Sequence, residues 1–437
     1  MAARFEPEPV LDSADLVQPA LLSGPDFKVA SKARLHGFMA RFELTTPYGI
    51  QHPESIELLA LREAELPAVA TLEAASKTDA FAHALAERGR KIGRALWQVV
   101  SHPVDTLSGL PQGVARYFSR TLASWGRRAQ ALADRGNRQF EHDGDPYAAP
   151  DGPMTAGRTP LPGEDAQPGK GKAWYARAGR EAAREVKRQL DFGRMRREMA
   201  KVLDIDPYTT NPLIVERLDA LAWAAVAGNF SGGAALGLVG GVPAEIIGTG
   251  NRLNKLVWEL DPEDLREANR KRLAAFCTDD FGIRHFLRRG GFTDSLRTTL
   301  TDDLKALAPT QGCDDLIELA VTSRSEIEAR YLVNALRLLR QHAGRPGGRL
   351  VTVGAAVVWR MPDDRLVLPL PVDRLTWTAD IDAFFALPAL HATSRTVLIG
   401  GTLSARSRRR LEEMDWTLVE HAGFEGNPAY ATPAPSR

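Results

Sequence analysis

The chain has 437 residues, 44% of them hydrophobic and 25% charged, which is the globular average and excludes a wholly disordered protein. At about 150 residues per domain there is room for two or three domains. With 56 Lys and Arg against 55 Asp and Glu, the net charge of +1 argues against a protein that coats nucleic acid.

The start, from Met1 to Pro9, lacks a basic stretch followed by an apolar run, so no signal peptide is read. The first twenty residues are acidic and Pro-containing and are expected to be loosely held. From Phe27 to Leu35 and from Phe38 to Thr46 the residues alternate as strands do, with Pro47 to Gly49 as a turn, predicting a small β-meander. Ser76 to Asp79 matches a capping box, with Phe81, Leu85, Ile92, Leu96 and Val99 following at helical spacing. A second helix is expected from Ser108, where Val114, Phe118, Leu122, Trp125 and Leu132 form an apolar stripe and Arg116, Arg120, Arg127 and Arg128 lie on the remaining surface.

The next stretch, residues 141–172, is rich in Pro, Gly and charge and nearly devoid of aliphatic residues. It cannot bury enough apolar area to offset roughly 1–2 kcal/mol of backbone entropy per residue, so it reads as a flexible linker. Beyond it, from Trp174 toward Leu203, a second cationic helix carries Arg184, Lys187, Arg188 and Arg194. Asp204 to Pro212 is a polar turn, in which Asn211 can cap and Pro212 can open the next helix. Its crowd of oxygens suggests a cation or phosphate site, but without EF-hand spacing the turn-and-cap reading is favoured.

Ala220 to Ala244 carries no charge and places Gly233, Gly237 and Gly241 on one helical face. That is the pattern of close helix packing, in lipid or in a protein core, and the core reading is favoured. Helices are then expected at Pro262–Phe276, Ser295–Leu307, Asp314–Val321 and Ser325–Gln341. The two cysteines, Cys277 and Cys313, have no metal-ligand spacing. One disulfide or two buried thiols remain open, and the apolar run Leu273 to Cys277 favours thiols.

After Gly348 the period becomes two: Val351, Val353, Ala355, Val357 and Trp359 read as one face of a strand, with a hairpin through Pro362 to Asp364 into Leu366–Leu370. Thr396–Gly400, a helix Ser404–Met414 and Trp416–Val419 form a β-α-β-like unit. Gly400 to Ser404 leads into a helix whose N-terminus, with Arg406 and Arg408, could hold an anion, though a plain strand–turn–helix connection is favoured. Thr378 reads as a helix cap ahead of Asp380 and Asp382. The tail from Gly423 is expected to be loop.

The fold class is thus α+β, mainly helical. It comprises an N-terminal small β-meander with helices (1–140), the linker (141–172), a central helical region (173–343) and a C-terminal small α/β unit (344–437). No cofactor, metal or nucleophile motif is found, so no catalytic, cofactor or metal residue is assigned. Pro103 to Thr106, Gly109 to Phe118, Asp206 to Pro212, Ser23 to Pro25 and Leu411 to Val419 resemble an uncharacterised family of bacterial proteins, often predicted to be exported. The resemblance implies a cell-envelope or periplasmic location and names no activity; a chain that starts at Met1 is instead expected to be cytoplasmic.

The favoured function is a non-catalytic protein that meets an anionic membrane surface, or another protein, through Arg116, Arg120, Arg127, Arg128, Arg184, Lys187, Arg188 and Arg194. Nucleic acid is the less favoured partner. The alternatives are an enzyme with its site in the C-terminal α/β unit or the Asp204–Asn211 turn, and a protein–protein scaffold.

Overall fold

The structure, a computed structural model, describes residues 5–76, 191–228, 254–288, 291–343, 347–353, 356–424, 426–428 and 430. The chain is of mixed α and β type, and half of the described residues are helical. The 141–172 linker, the two helices expected between Ser76 and Arg138, and residues 229–244 of the uncharged stretch lie outside the described residues.

Two small antiparallel sheets open the fold. One contains β1 (Val10–Asp12), β4 (Lys32–His36) and β5 (Met39–Arg41); the other contains β2 (Ser23–Gly24), β3 (Phe27–Val29), β6 (Leu44–Thr46) and β7 (Gly49–Gln51). The expected single meander is therefore two interleaved sheets. β4 folds back on β5 across Gly37 and Phe38, both in the left-handed region at φ 54° and 71°, before β6 returns to β3. The Pro47–Gly49 turn is present, with the Thr46 hydroxyl donating to the Gly49 carbonyl at 2.8 Å. Of the first twenty residues, those from Phe5 on are not loose. β1 pairs with β4, and Leu16 and Val17 are buried with Val29, Phe42 and Leu44 against Ile56 and Leu59. Period-two reading missed this because Leu16 and Val17 follow a single 3-10 turn (Ser13–Asp15) rather than lying in a strand.

Ile56 and Leu59 belong to α1 (Ile56–Ala64), started by the Ser55 side chain, which accepts from the Leu58 N–H. α2 (Leu66–Ser76) follows. Ser76 is helical, and its hydroxyl donates to the Glu73 carbonyl, a local bond that competes with capping; residues 77–79 of the expected capping box lie outside the described residues.

Residues 191–202 form α3, and Pro212–Gly228 forms α4. As expected, Asn211 Oδ1 accepts from the Leu213 N–H at 3.1 Å. α2, α3 and α4 share a core of Leu72, Met199, Leu203, Ile214, Leu218 and Ala222. Phe192 stacks on Trp223 at 4.3 Å and Arg196 pairs with Asp219 at 2.7 Å, so α3 and α4 run antiparallel. At the lower end Asn211 meets Glu65, and further up Arg217 meets Glu73, so α2 and α4 run parallel. Ser76, residue 191 and Gly228 therefore lie at one end of this three-helix layer. Ser76 and residue 191 lie within about one turn of each other along its axis.

The central helices are α5 (Leu256–Glu259), α6 (Pro262–Leu273), α7 (Asp280–Arg288), α8 (Asp294–Leu307), α9 (Cys313–Val321) and α10 (Glu326–His342). Four match expectation; α5 and α7 are short and were not foreseen. Cys277 and Cys313 form a disulfide, 5.0 Å apart at Cα, which corrects the expectation of free thiols. Both are buried, as anticipated. What joins them is Asp314, whose carboxylate accepts from the N–H groups of Thr278 and Asp279 at 2.8 and 3.0 Å, drawing the two segments together.

The large sheet has the order β14-β12-β10-β9-β8. Its strands are β8 (Arg349–Val353), β9 (Ala356–Arg360), β10 (Arg365–Leu370), β12 (Ser394–Ile399) and β14 (Thr417–Val419). The stretch Val351–Trp359 is not one strand but two: Val351 pairs with Val358 and Thr352 with Val357 in antiparallel register. Both halves are apolar enough that alternation alone does not reveal the reversal. β9 and β10 form the expected hairpin, and β10, β12 and β14 are parallel. The crossovers are α11 (Ala379–Phe385) and α12 (Ala405–Glu413). Leu338 of α10 clusters with Val367 and Leu398. The alternate residues Leu366, Leu368, Val397 and Ile399 join the cluster containing Phe384, Phe385 and Trp416. Helices thus cover both faces. That larger cluster also takes in Phe38, Met39 and Leu58, so the N-terminal region and the C-terminal sheet share one core.

Candidate functional site

Two polar clusters lie inside the described body. The first surrounds the turn before α4. Asp206 Oδ1 accepts from the Tyr208 N–H at 2.8 Å and from the Ser295 hydroxyl. Thr209 Oγ1 and Asn211 Nδ2 donate to the two oxygens of buried Glu65, the second at 2.9 Å. Arg62 reaches Glu65 at 3.0 Å and Thr210 at 2.8 Å. Next to it Arg330 bridges Glu326 at 2.8 Å and Glu57 at 2.9 Å. Burial opposes the charge on Arg330, yet the carboxylates of Glu326 and Glu57 outweigh it and hold its pKa above the ordinary guanidinium value. Burial pushes Asp206 up to about 6 against the Ser295 hydroxyl and the Tyr208 N–H.

The Asp206, Thr209, Thr210 and Asn211 oxygens that suggested a cation or phosphate site therefore take protein donors. Among the described residues no group of three or more His, Cys, Asp or Glu is placed to hold a metal ion. The arrangement is a clamp that fixes α1, α2, the turn and α10 to one another.

The second cluster lies at the carboxyl ends of the parallel strands, where open α/β sheets ordinarily take ligands. β10 runs into Pro371, Val372 and Asp373, and a short pair follows, β11 (Arg374–Leu375) beside β13 (Thr402–Leu403). Asp373 is 2% exposed. Its Oδ2 accepts from the N–H groups of Ala40 at 2.8 Å and Ile56 at 3.1 Å, and Tyr430 donates to Oδ1 at 3.4 Å. Burial pushes Asp373 up to about 7 against these three donors. Gly401 passes so close that an added Cβ would lie 1.9 Å from the Asp373 carbonyl oxygen. The His421 ring packs edge-on to Tyr430, 6.2 Å between centroids, and its Nε2 is buried without a hydrogen-bond partner.

At the start of α12, Ser404 accepts from the Ser407 N–H at 3.0 Å and caps the helix, one residue ahead of its first turn. The same hydroxyl donates to Glu6 Oε2 at 2.6 Å, and that oxygen also accepts from the Trp377 N–H at 2.7 Å. Of the two arginines singled out beside this turn, Arg408 pairs with Glu420, and Arg406 lies on the same helix. Glu6, Asp373, His421 and Tyr430 were not singled out in the sequence. They belong to four separate segments, and no local spacing links them.

Of the eight basic residues assigned to an anionic surface, Arg116, Arg120, Arg127, Arg128, Arg184, Lys187 and Arg188 lie outside the described residues. Arg194 stands on the exposed face of α3, with Asp191 at 3.5 Å. Among the described residues no helix is long and apolar enough to cross a membrane. No protein family, curated protein or solved structure matches the chain.

Proposed function

We propose that this chain is a non-catalytic protein of the cell envelope that meets an anionic membrane surface through residues 77–190, the described body serving as its platform. The observation that carries this reading is the shared end of the three-helix layer. The cationic segment leaves the body at Ser76 and re-enters at residue 191, one turn away, and the uncharged stretch continues from Gly228 at the same end. The described residues that flank both unusual segments thus share one end of the layer. The sequence of residues 108–138 sets Phe118, Leu122 and Trp125 among arginines, the composition of an interfacial helix. The Cys277–Cys313 disulfide supports an oxidising compartment, since such bonds are rare where thiols are kept reduced.

Flotation of the full chain with vesicles tests the proposal. Binding to anionic vesicles is expected to fall as salt rises and to be lost when Arg116, Arg120, Arg127 and Arg128 are all replaced by Glu. Binding that is indifferent to salt and to those four charges would overturn it.

A further inference from the structure

The carboxyl ends of the parallel strands are covered by the segment that follows β14. Glu420, next after β14, is still tied to the sheet: its carboxylate accepts from the Leu403 N–H at 3.0 Å and pairs with Arg408. The chain then turns at His421, in the left-handed region at φ 49°. From there to Tyr430 the described residues form no helix or strand. The N–H groups of His421 and Ala422 donate to the carbonyls of Gly401 at 3.1 Å and Ile399 at 2.9 Å. Further on the hold passes to side chains. His342 Nε2 meets the Gly423 carbonyl at 2.8 Å, and the Arg337 guanidinium lies 5.6 Å from the centre of the Phe424 ring. Tyr430 makes one backbone bridge, to Val17, and reaches Asp373 with its hydroxyl.

We infer that the segment from His421 to Tyr430 is a strap, closed over the carboxyl ends of the parallel strands by the Tyr430–Asp373 contact in acid and loosened toward neutral pH. The two oxygens of Asp373 are held differently. Oδ2 takes the Ala40 and Ile56 N–H groups, which belong to β5 and to the start of α1, whereas Oδ1 takes the one donor that can leave with the strap. Gly400 leaves room for that donor, since a Cβ added there would lie 3.6 Å from the Tyr430 hydroxyl. With the strap closed the carboxyl is shut off from water; with the strap lifted, water reaches Oδ1 and solvates its charge.

Burial opposes that charge in the closed state and pushes Asp373 up to about 7. Glu57 on α1 adds repulsion, its own carboxylate being held by Arg330 and Asn334 of α10. The other charged or titratable neighbours are Arg374, which donates to Thr402, Arg41 of β5, which pairs with Glu54, and His421 beside Tyr430 in the strap itself. Closing therefore takes up a proton and opening releases it. As pH rises from the ordinary carboxylate value toward about 7, the open fraction grows by at most about tenfold per pH unit, and it levels off above.

Hydrogen exchange of the full chain tests this, read as the protection of the His421 and Ala422 amides after correction for the intrinsic pH dependence of exchange. Between about pH 5 and about pH 7 that protection is expected to fall tenfold or more. At each pH it is expected to stay below the protection of Val397 and Leu398 in β12, the mark of local release. Asp373→Asn is expected to remove the pH dependence, whereas His421→Asn, which suits the left-handed backbone, is expected to keep it. Tyr430→Phe, which removes only the hydroxyl and guards against a variant that fails to fold, is expected to lower protection at acid pH by about fivefold. Protection equal to that of β12 would mean that the segment leaves only when the whole chain unfolds, and would overturn the inference. A pH dependence that survives Asp373→Asn or is lost in His421→Asn overturns it too, as does unchanged protection in Tyr430→Phe.

Discussion

Asp373 joins three parts of the chain through one carboxylate, holding β5 by the Ala40 N–H, the start of α1 by the Ile56 N–H and the C-terminal segment by Tyr430. Burial pushes its pKa up to about 7 from the ordinary carboxylate value of 3.8. Between those values the folded chain keeps a proton that the unfolded chain has released, so stability falls as pH rises through about 4 to 7. Asp206 and Asp303, each pushed up to about 6 by burial, act in the same direction. Asp373→Asn keeps an acceptor for the two N–H groups and removes the titration. A shallower decline of the melting temperature across this pH range is expected, and an unchanged decline would assign the slope to other groups. Asp373→Ala instead orphans two buried N–H groups and is expected to cost about 2–4 kcal/mol in urea unfolding at pH 6. None of this is legible in the residues around position 373. The bonds span 333 and 317 positions, and a carboxylate after a strand reads locally as any loop residue.

Elements were more legible than single residues. α4 opens at the Asn211–Pro212 cap and α11 at Thr378, whose hydroxyl accepts from the Ile381 N–H at 3.3 Å. Capping bonds span two or three positions, so the residues that make them are visible in a short stretch of text. The helices missed are α1 and α2, which follow Ser55, and the short α5 and α7. The cysteines show the opposite limit, because their burial was legible and their pairing was not. Closing a loop of 36 residues constrains the unfolded chain by about 4 kcal/mol in the chain-entropy account. Cys277→Ser with Cys313→Ser is therefore expected to lower the urea midpoint by an equivalent amount, and a reducing agent should move the wild type to the same midpoint. A wild type indifferent to reduction would show that the bond adds nothing.

At the scale of the molecule, the N-terminal region and the C-terminal sheet are built into each other. Phe38, Met39 and Leu58 contribute to the core of the large sheet, Asp373 anchors β5 and α1, and Val17 forms a backbone bridge with Tyr430. A fragment of residues 254–437 is accordingly expected to lose fixed tertiary packing while retaining helical signal, seen as a weak near-ultraviolet circular dichroism spectrum beside a substantial far-ultraviolet one. A cooperative melt and a native-like near-ultraviolet spectrum would show that the N-terminal region is dispensable.

The amino-acid sequence by itself determined the mixed α and β class, the helices α4, α6, α8, α9, α10 and α12, the β9–β10 hairpin and the caps that open α4 and α11. Each rests on side-chain period or on bonds within a few positions. Only the tertiary structure decided that the N-terminal strands form two sheets, that Val351–Trp359 reverses on itself and that the cysteines join. It also decided that Glu6 and Tyr430 close the edge of the large sheet and that Ser76, residue 191 and Gly228 lie at one end of a helix layer. These are contacts that no local spacing specifies, from a few positions to hundreds apart, and they form because burying apolar faces in one common core brings the segments together. A pattern that repeats every two or four residues carries no record of which distant face it will meet.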